Sequence, residues 1–268
     1  MSLLLQLIAN GIVYSSIIVL ASIGLSLVYS IADFANFAHG DTMTVGAYGG
    51  LVGMGLLMSI GFDATIFGIP IAFFLALVFG MIVAALVAVL THKLIYEPMD
   101  IGSIGLLITS IGVAFMYRSV IQMGFGSILE SFDVQRFGPI PALQQALDIA
   151  VTRRDLLIVV VALLLVVGLH LLLQYTTLGR KMRATADNRS LARVSGIRTG
   201  RVLLAMWVIG AALAAAGGIF IGLDTHLYPR MGFDVLLVVF AAVILGGIGS
   251  VYGAMLGGFV IGMIHELT

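Results

Sequence analysis

The sequence predicts an all-α, polytopic bundle of helices in a membrane, and two observations lead to that fold class. The chain has 268 residues, of which 61% are hydrophobic and 10% charged, whereas an ordinary soluble domain is about 45–50% apolar and about 25% charged. Its apolar runs are apolar on all sides, unlike the alternating strands of an outer-membrane barrel. Composition therefore excludes most soluble proteins, including a nucleic-acid-binding domain, and the lack of cysteine argues against a disulfide scaffold.

About eight segments are apolar enough to be membrane helices, since a spanning helix needs roughly 20 mainly apolar residues. The first segment has no basic residue before it, so we interpret it as a retained helix rather than a cleaved signal peptide. The last two are short, and Gly249-Ser250 between them allows a tight turn or a broken helix. With no tandem repeat, residues 1–268 are interpreted as a single transmembrane domain. The segments are Leu3–Ile31, Thr42–Ile60, Thr65–Leu90, Ser103–Met123, Asp155–Tyr175, Val202–Leu223, Asp234–Gly249 and Val251–Ile264.

The connection Leu178–Arg201 carries seven of the 13 basic residues against one acidic residue, Asp187. Basic loops stay in the cytoplasm during insertion, which places this loop inside and the connection Gly124–Arg154 outside. The zero net charge of the chain is thus the sum of +6 in this loop and −6 elsewhere. The segment Ile31–Asp41 has no basic residue, so it is either a surface loop or non-helical backbone inside the bundle.

Within the basic loop, a helix is predicted from Gly179 to about Val194, with Gly196 as its terminator. Small and apolar side chains form a stripe on this helix, which suits close approach by a partner protein. The alternative is a plain positive-inside anchor. The stripe consists of Ala184, Ala186, Leu191, Ala192 and Val194.

Four ordered stretches resemble one family. The sequence LGRKMRATADN at 178–188, followed by ARVSGI at 192–197, is similar to the cytoplasmic loop of branched-chain amino acid permeases of ABC transporters, of the LivH/LivM type and nearest LivH. NFAHG at 36–40, LITSIG at 107–112 and PRMG at 229–232 with the glycines after it match the same family. The resemblance implies a coupling helix, between the fifth and sixth spans, that docks into an ATPase subunit. The positions concerned are Gly179, Arg183, Ala184, Ala186, Asp187, Asn188, Ala192 and Gly196.

The polar residues between the first two apolar runs are candidates for the substrate pathway. Transporters often interrupt a helix so that its freed backbone groups bind the charged ends of a substrate, and Gly40 permits such a break. The alternative is a surface loop with a helix cap at Asp41. For Thr109 and Ser110 the alternative to lining the pathway is a hydrogen bond from the hydroxyl to the backbone of its own helix. The candidate pathway residues are Asn36, Phe37, His39, Gly40, Thr109 and Ser110.

Two other groups are interpreted structurally. Gly246, Gly249, Gly253 and Gly257 recur at spacings of three and four, which predicts one small helix face for packing within the subunit or against a second permease. Arg118, near the outer end of its span, is predicted to be an interface anchor that snorkels to the headgroups.

The functional prediction is a permease subunit of an ABC importer in the cytoplasmic (inner) membrane. The chain has no phosphate-binding G-x-x-x-x-G-K-[ST] loop, so ATP and Mg²⁺ are expected on partner subunits, with no catalytic residue, metal or cofactor here. The resemblance implies a second, related permease, two ATPase subunits and an extracytoplasmic binding protein, besides lipid. The expected cargo is a branched-chain or other neutral amino acid.

Three alternatives are weighed against that prediction. The cargo of the same family of permeases could instead be urea or a short amide. An ion-coupled secondary transporter would need an intramembrane ionisable residue, and the acids here, such as Asp33, Asp41 and Asp234, fall at predicted span ends. An intramembrane enzyme is disfavoured, since no H-E-x-x-H pattern occurs.

Overall fold

The computed structural model describes residues 2–62, 64–66, 68–99, 101–135, 137–141, 144–145 and 148–267. It confirms the prediction of an all-α, polytopic membrane bundle. Within these residues, six helices are long and apolar enough to cross a membrane. The helices Met231–Gly246 and Val251–Leu267 have only 16 and 17 residues, so the number of complete crossings stays a prediction. The helices are α1 Ser2–Ala32, α2 Ala38–Ser59, α3 Ile71–Thr91, α4 Ser103–Phe125, α5 Arg153–Tyr175, α6 Thr177–Asp187, α7 Arg189–Val194, α8 Thr199–Asp224, α9 Met231–Gly246 and α10 Val251–Leu267.

Helix α1 lies at the centre of the bundle, packed against α8 on one side and α10 on the other. Small residues make the second contact possible, because Gly262 of α10 lies directly against Ser15 of α1. The Ser15 hydroxyl donates to the Phe259 carbonyl at 3.0 Å, and the Ser22 hydroxyl to the Ala254 carbonyl at 3.1 Å. In a membrane, close packing and interhelical hydrogen bonds of this kind hold helices together.

Helices α3, α4 and α5 lie at the periphery. In the most apolar window of α1, 78% of the residues are buried, but the share is 28% in α4 and in α5. Their outward side chains are large and apolar, including Ile104, Met123 and Leu164. Such side chains suit contact with lipid or with a second membrane subunit.

The first helix runs toward the basic loop. Its N-terminal part lies beside the long connection that follows α4, where the Ala150 amide donates to the Gln6 side chain at 2.6 Å. Its C-terminal part lines one cavity together with Met182 of α6 and Ser250. We call the end of the bundle that carries α6 and α7 the basic end.

Two sequence-based boundaries are wrong. The span predicted from Thr65 begins instead with a hairpin, β1 Thr65–Ile66 and β2 Ile69–Pro70, and α3 starts at Ile71. The helix predicted over 179–194 is two helices, because Asn188 has an extended backbone (φ −157°, ψ 102°) and its side chain accepts from the Leu191 amide at 2.9 Å. Asparagine is a strong N-cap residue, so it starts a new helix there.

The four glycines near the C-terminus do not form one helix face as predicted. Gly246 ends α9, Gly249 lies in the turn with φ +84°, and Gly253 and Gly257 belong to α10. The two helices form an antiparallel pair in which Gly253 lies against the Gly246 carbonyl and Gly257 against the Ala242 carbonyl. Spacings of three and four also arise when a tight turn brings two glycine-bearing helices together.

Candidate translocation site and coupling surface

The chain is interrupted inside the bundle between α1 and α2. Asp33 adopts a positive φ of +59°, and α2 begins only at Ala38, where its whole first turn is buried. Of the two sequence-based interpretations of Ile31–Asp41, non-helical backbone inside the bundle is therefore the correct one. The alternative of an Asp41 cap is wrong, since Phe37 occupies the N-cap position and makes no side-chain cap bond.

Asn36, Phe37 and Ser110 meet at this break. The Phe37 amide donates to the Ser110 hydroxyl at 2.9 Å, and the Asn36 side-chain oxygen accepts from the Ala38 amide at 3.1 Å. The Tyr96 hydroxyl also donates to that oxygen, at 3.5 Å. Asn36 and Ser110 are both buried. The amide groups freed by the break are thus held by polar side chains of the same chain, including one from α4.

The other predicted pathway residues lie apart from this cluster. The His39 Nε2 atom lies 2.9 Å from the Ala21 carbonyl of α1. Gly40 packs against Gly232, and the Thr109 hydroxyl donates to the Gly105 carbonyl of its own helix at 2.9 Å. The structure therefore groups Asn36, Phe37 and Ser110, and places His39, Gly40 and Thr109 in contacts between or within helices.

Helix α9 also begins inside the bundle, next to the start of α2. The Gly232 amide donates to the Thr44 hydroxyl at 3.1 Å, and the ring of Phe37 lies 4.9 Å from that of Phe240. A side chain at either Gly40 or Gly232 would overlap the carbonyl of the other. The start of α9 thus packs against the first two turns of α2, and its middle passes the break at Phe37.

A buried ion pair lies beside this contact, and sequence analysis missed it. The Arg118 guanidinium of α4 donates to both oxygens of Asp41, at 3.1 and 3.2 Å. The exposed fraction of the side chain is 14% for Arg118 and zero for Asp41. The prediction that Arg118 snorkels to the membrane interface is wrong. The prediction that Asp41 lies at the end of a membrane span, near the surface, is also wrong, because the first turn of α2 is buried inside the bundle.

Arg118 is enclosed by aromatic rings as well. Its guanidinium carbon lies 4.7 Å from the ring centroid of Phe233 and 5.4 Å from that of Phe115. Rings at these distances attract the cation through their quadrupole. One side chain of α4 thereby contacts the first turns of both α2 and α9.

In the basic loop, α6 crosses closely over the end of α5. Gly179 lies against the carbonyls of Leu172 and Leu173, and Met182 is buried beneath the helix. The Arg183 guanidinium donates to the Leu173 carbonyl and, at 3.0 Å, to the Gln174 side chain. A cation at a helix C-terminus also interacts favourably with the helix dipole. Gly179 and Arg183 thus anchor α6 to the bundle.

Some of the remaining residues of the predicted coupling helix face the bundle and the others are exposed. Ala192 is buried and Ala184 half-buried, whereas Ala186, Asp187, Asn188 and Gly196 are exposed. Beside them, Leu191 and Val194 are 64% and 87% exposed. We call the exposed set Ala186, Asp187, Asn188, Leu191, Val194 and Gly196 the coupling surface.

The comparison with known families is decisive. A family model described as branched-chain amino acid transport system / permease component matches residues 7–268. The chain belongs to this family. The resemblance to LivH-type permeases, drawn above from four motifs, is confirmed.

Individual relatives agree with the family match. The high-affinity branched-chain amino acid transport system permease protein BraD of Pseudomonas aeruginosa is 30% identical over 97% of this chain and 84% of its own length. LivH of Escherichia coli is 30% identical over 98% of this chain and 85% of its own. A probable LivH of Methanocaldococcus jannaschii is 29% identical, with coverage of 98% and 80%. No solved structure matches the chain.

The family and the fold together establish a multi-pass protein of the cytoplasmic membrane and a permease component of an ABC transporter. Its relatives are transport subunits. Within the part of the chain that the structure describes, no three His, Asp or Glu side chains lie close enough together to hold a metal ion.

Proposed function

We propose that this chain imports branched-chain amino acids, as the membrane subunit of a transporter whose ATP is hydrolysed by separate subunits. The observation that carries the proposal is the family match over residues 7–268, together with relatives that are permeases for branched-chain amino acids. The coupling surface suits docking of a separate ATPase subunit, because Leu191 and Val194 are exposed there among basic residues.

The substrate pathway is proposed to pass the break between α1 and α2. Asn36 and Ser110 would bind the ammonium or carboxylate of the amino acid, in exchange for the bonds they now make to the backbone. The apolar rings of Phe37 and Phe240 beside them suit an aliphatic side chain.

Uptake by a reconstituted transporter tests the proposed function. The chain is placed in proteoliposomes with a related permease, two ATPase subunits and the cognate binding protein, and entry of radiolabelled leucine is measured. ATP on the cytoplasmic side should drive uptake, and excess isoleucine or valine should compete. Competition by urea or acetamide alone would support the alternative cargo, and uptake driven by an ion gradient without ATP would support a secondary transporter.

Ala186→Glu is expected to break ATPase docking. The side chain is exposed, so the chain should fold normally while a charge enters the coupling surface. Burying an unpaired carboxylate costs several kcal/mol, so we expect a loss of at least about 2 kcal/mol, or roughly thirtyfold in affinity. Co-purification of ATPase subunits on the tagged permease measures the loss.

The matched control for docking is Ala150→Glu. Ala150 is also exposed and contacts Gln6 only through its backbone, but it lies at the end opposite α6. Retention of the ATPase should be unchanged in this variant. Equal retention in Ala186→Glu and the control contradicts the coupling surface.

Ser110→Ala is expected to slow transport without affecting ATPase association. The substitution leaves the Phe37 amide without its acceptor, which costs about 1–3 kcal/mol. It also removes a hydroxyl that we propose binds the amino acid, so loss of one such hydrogen bond, worth about 1.5 kcal/mol, should slow the initial rate of leucine uptake about tenfold. The control is Ser16→Ala, because the Ser16 hydroxyl bonds only to the Ile12 carbonyl of its own helix. Unchanged uptake in Ser110→Ala rules out this hydroxyl as a pathway group.

A further inference from the structure

A second cavity opens at the basic end, next to the break, and Phe34 of the break lines it. It has a volume of about 660 Å³ and is bounded by the π-helical turn His92–Tyr96 that continues α3, by the start of α8 and by α7. Four cationic side chains line it against one carboxylate, that of Glu97. None of the four forms an ion pair among the residues that the structure describes. The four are Lys93, Arg189, Arg198 and Arg201.

The inner wall of this cavity contains polar atoms without partners. Trp207 and His92 both line it, and both are at least nine-tenths buried. The Trp207 indole N–H and the His92 Nδ1 atom have no hydrogen-bond partner in the described part of the chain. The two rings stack, with centroids 5.7 Å apart. Buried polar atoms nearly always have a hydrogen-bond partner. A ligand in the cavity could supply the partner for these two atoms.

The charge of the cavity identifies the class of ligand. A zwitterionic amino acid brings no net charge and would need acceptors for its ammonium group, but only one carboxylate is available. A phosphate brings one or two negative charges and several acceptor oxygens, which match Arg guanidinium groups well. Apolar side chains, those of Leu106, Leu203 and Leu204, complete the lining. Basic pockets between membrane helices on the cytoplasmic side are suited to lipid headgroups.

We propose that this cavity binds a phosphate-bearing anion, with Arg198 and Arg201 as its main charge partners and Trp207 as a donor. The phosphate is that of an anionic phospholipid or is free in the cytoplasm, and the recognition chemistry is the same for both. The cavity adjoins the break through Phe34 and Tyr96 and adjoins α7 through Arg189. The proposal rests on the cations and the unpartnered polar atoms of the cavity, so it does not depend on the proposed function.

The single tryptophan makes the cavity accessible to a direct measurement. Trp207 is the only Trp in the sequence, so the intrinsic fluorescence of the full chain, purified in detergent, reports on this wall alone. Short-chain phosphatidylglycerol, inorganic phosphate, short-chain phosphatidylcholine and leucine are titrated separately. Native mass spectrometry of the same samples counts retained phosphatidylglycerol or phosphate.

The test variant is the double substitution Arg198→Gln/Arg201→Gln, and the control is Arg180→Gln/Arg193→Gln. The control removes the same charge from the same loop, but Arg180 and Arg193 do not line the cavity. Each basic residue near an anionic headgroup is worth roughly fivefold in affinity, so the test variant should bind about thirtyfold more weakly and the control nearly as well as the parent chain.

The separate titrations distinguish a lipid phosphate from a free phosphate and include results that would contradict the proposal. A saturable change with phosphatidylglycerol but not with phosphate identifies a lipid headgroup, and a change with both identifies a site for free phosphate. The proposal is overturned if neither anion is retained or changes the fluorescence. It is equally overturned if both double variants lose binding to the same extent, or if leucine and phosphatidylcholine reproduce the effect.

Discussion

Replacing Arg118 with methionine is expected to lower the free energy of unfolding by about 3–5 kcal/mol. The substitution keeps most of the apolar volume but leaves the fully buried Asp41 carboxylate without its counter-charge. Because the bundle interior offers little water, that charge loses far more than a surface ion would. Titration of the purified protein with sodium dodecyl sulfate, followed by loss of helical signal or by proteolysis, measures the change.

Two further variants separate the ion pair from simple packing. In Arg118→Met/Asp41→Leu both charges are gone, so most of the stability should return, since a buried pair can often be replaced by apolar residues at little cost. Arg230→Met breaks the pair with Asp234, whose side chains are 63% and 40% exposed, and should shift stability by less than about 1 kcal/mol. If the double variant is as unstable as Arg118→Met, the ion-pair explanation is wrong.

Gly232→Ala is expected to destabilise the protein by about 3 kcal/mol and to abolish most transport. The added methyl group would overlap the Gly40 carbonyl, so α9 must move away from α2. Overpacking against backbone costs about 1–3 kcal/mol. The displacement also removes the hydrogen bond from the Gly232 amide to Thr44, and an unpaired buried amide costs a similar amount.

The same substitution elsewhere supplies the control for this contact. Gly112 lies within α4 and no atom lies within 4 Å of an added Cβ. Gly112→Ala should therefore stabilise the helix by up to about 1 kcal/mol, as alanine does in any open helix position. The unfolding titration and leucine uptake are measured for both variants. Equal behaviour of the two would show that close approach at Gly232 has no special importance.

The long apolar helices could be predicted from the sequence because each requirement is local. A run such as that of α5 has to satisfy its backbone within the helix in a membrane, and its ends carry recognisable signals, as in the Thr152/Asp155 capping box. The break before α2 could be suspected from Gly40 and the polar residues near it. Whether it lay at the surface or inside could not be decided, because α1 and α2 would be apolar in both cases.

The ion pair could not be predicted from the sequence, since 77 positions separate Asp41 from Arg118. Their pairing depends on how deeply α2 begins in the bundle, which is set by the contacts of Gly40 with Gly232 and of His39 with Ala21. One signal was present in the sequence. Two charges of opposite sign, each in a segment predicted to span a membrane or to flank one, are costly unless paired.

Only some of the candidate pathway residues could be predicted from the sequence, because side-chain direction depends on the fold. Asn36 and Ser110 each lie in a motif that resembles the family, and the fold brings the two together. His39 and Thr109 lie in the same motifs but point to neighbouring backbone. A motif identifies a segment, whereas the direction of each side chain follows from the helix phase at the end of the break.

Helix α9 runs without interruption from the basic end of the bundle to the first turn of α2. Sixteen residues at a rise of 1.5 Å each make a rod of about 24 Å. At one end, the turn after Gly246 leads to Tyr252, whose hydroxyl accepts from Gln174 beside α6 at 2.8 Å. At the other end, Gly232 touches Gly40 with no side chain between them. Because this contact joins two backbones, we expect a tilt of α9 that begins near α6 to move the first turn of α2, with no flexible side chain between them to absorb it.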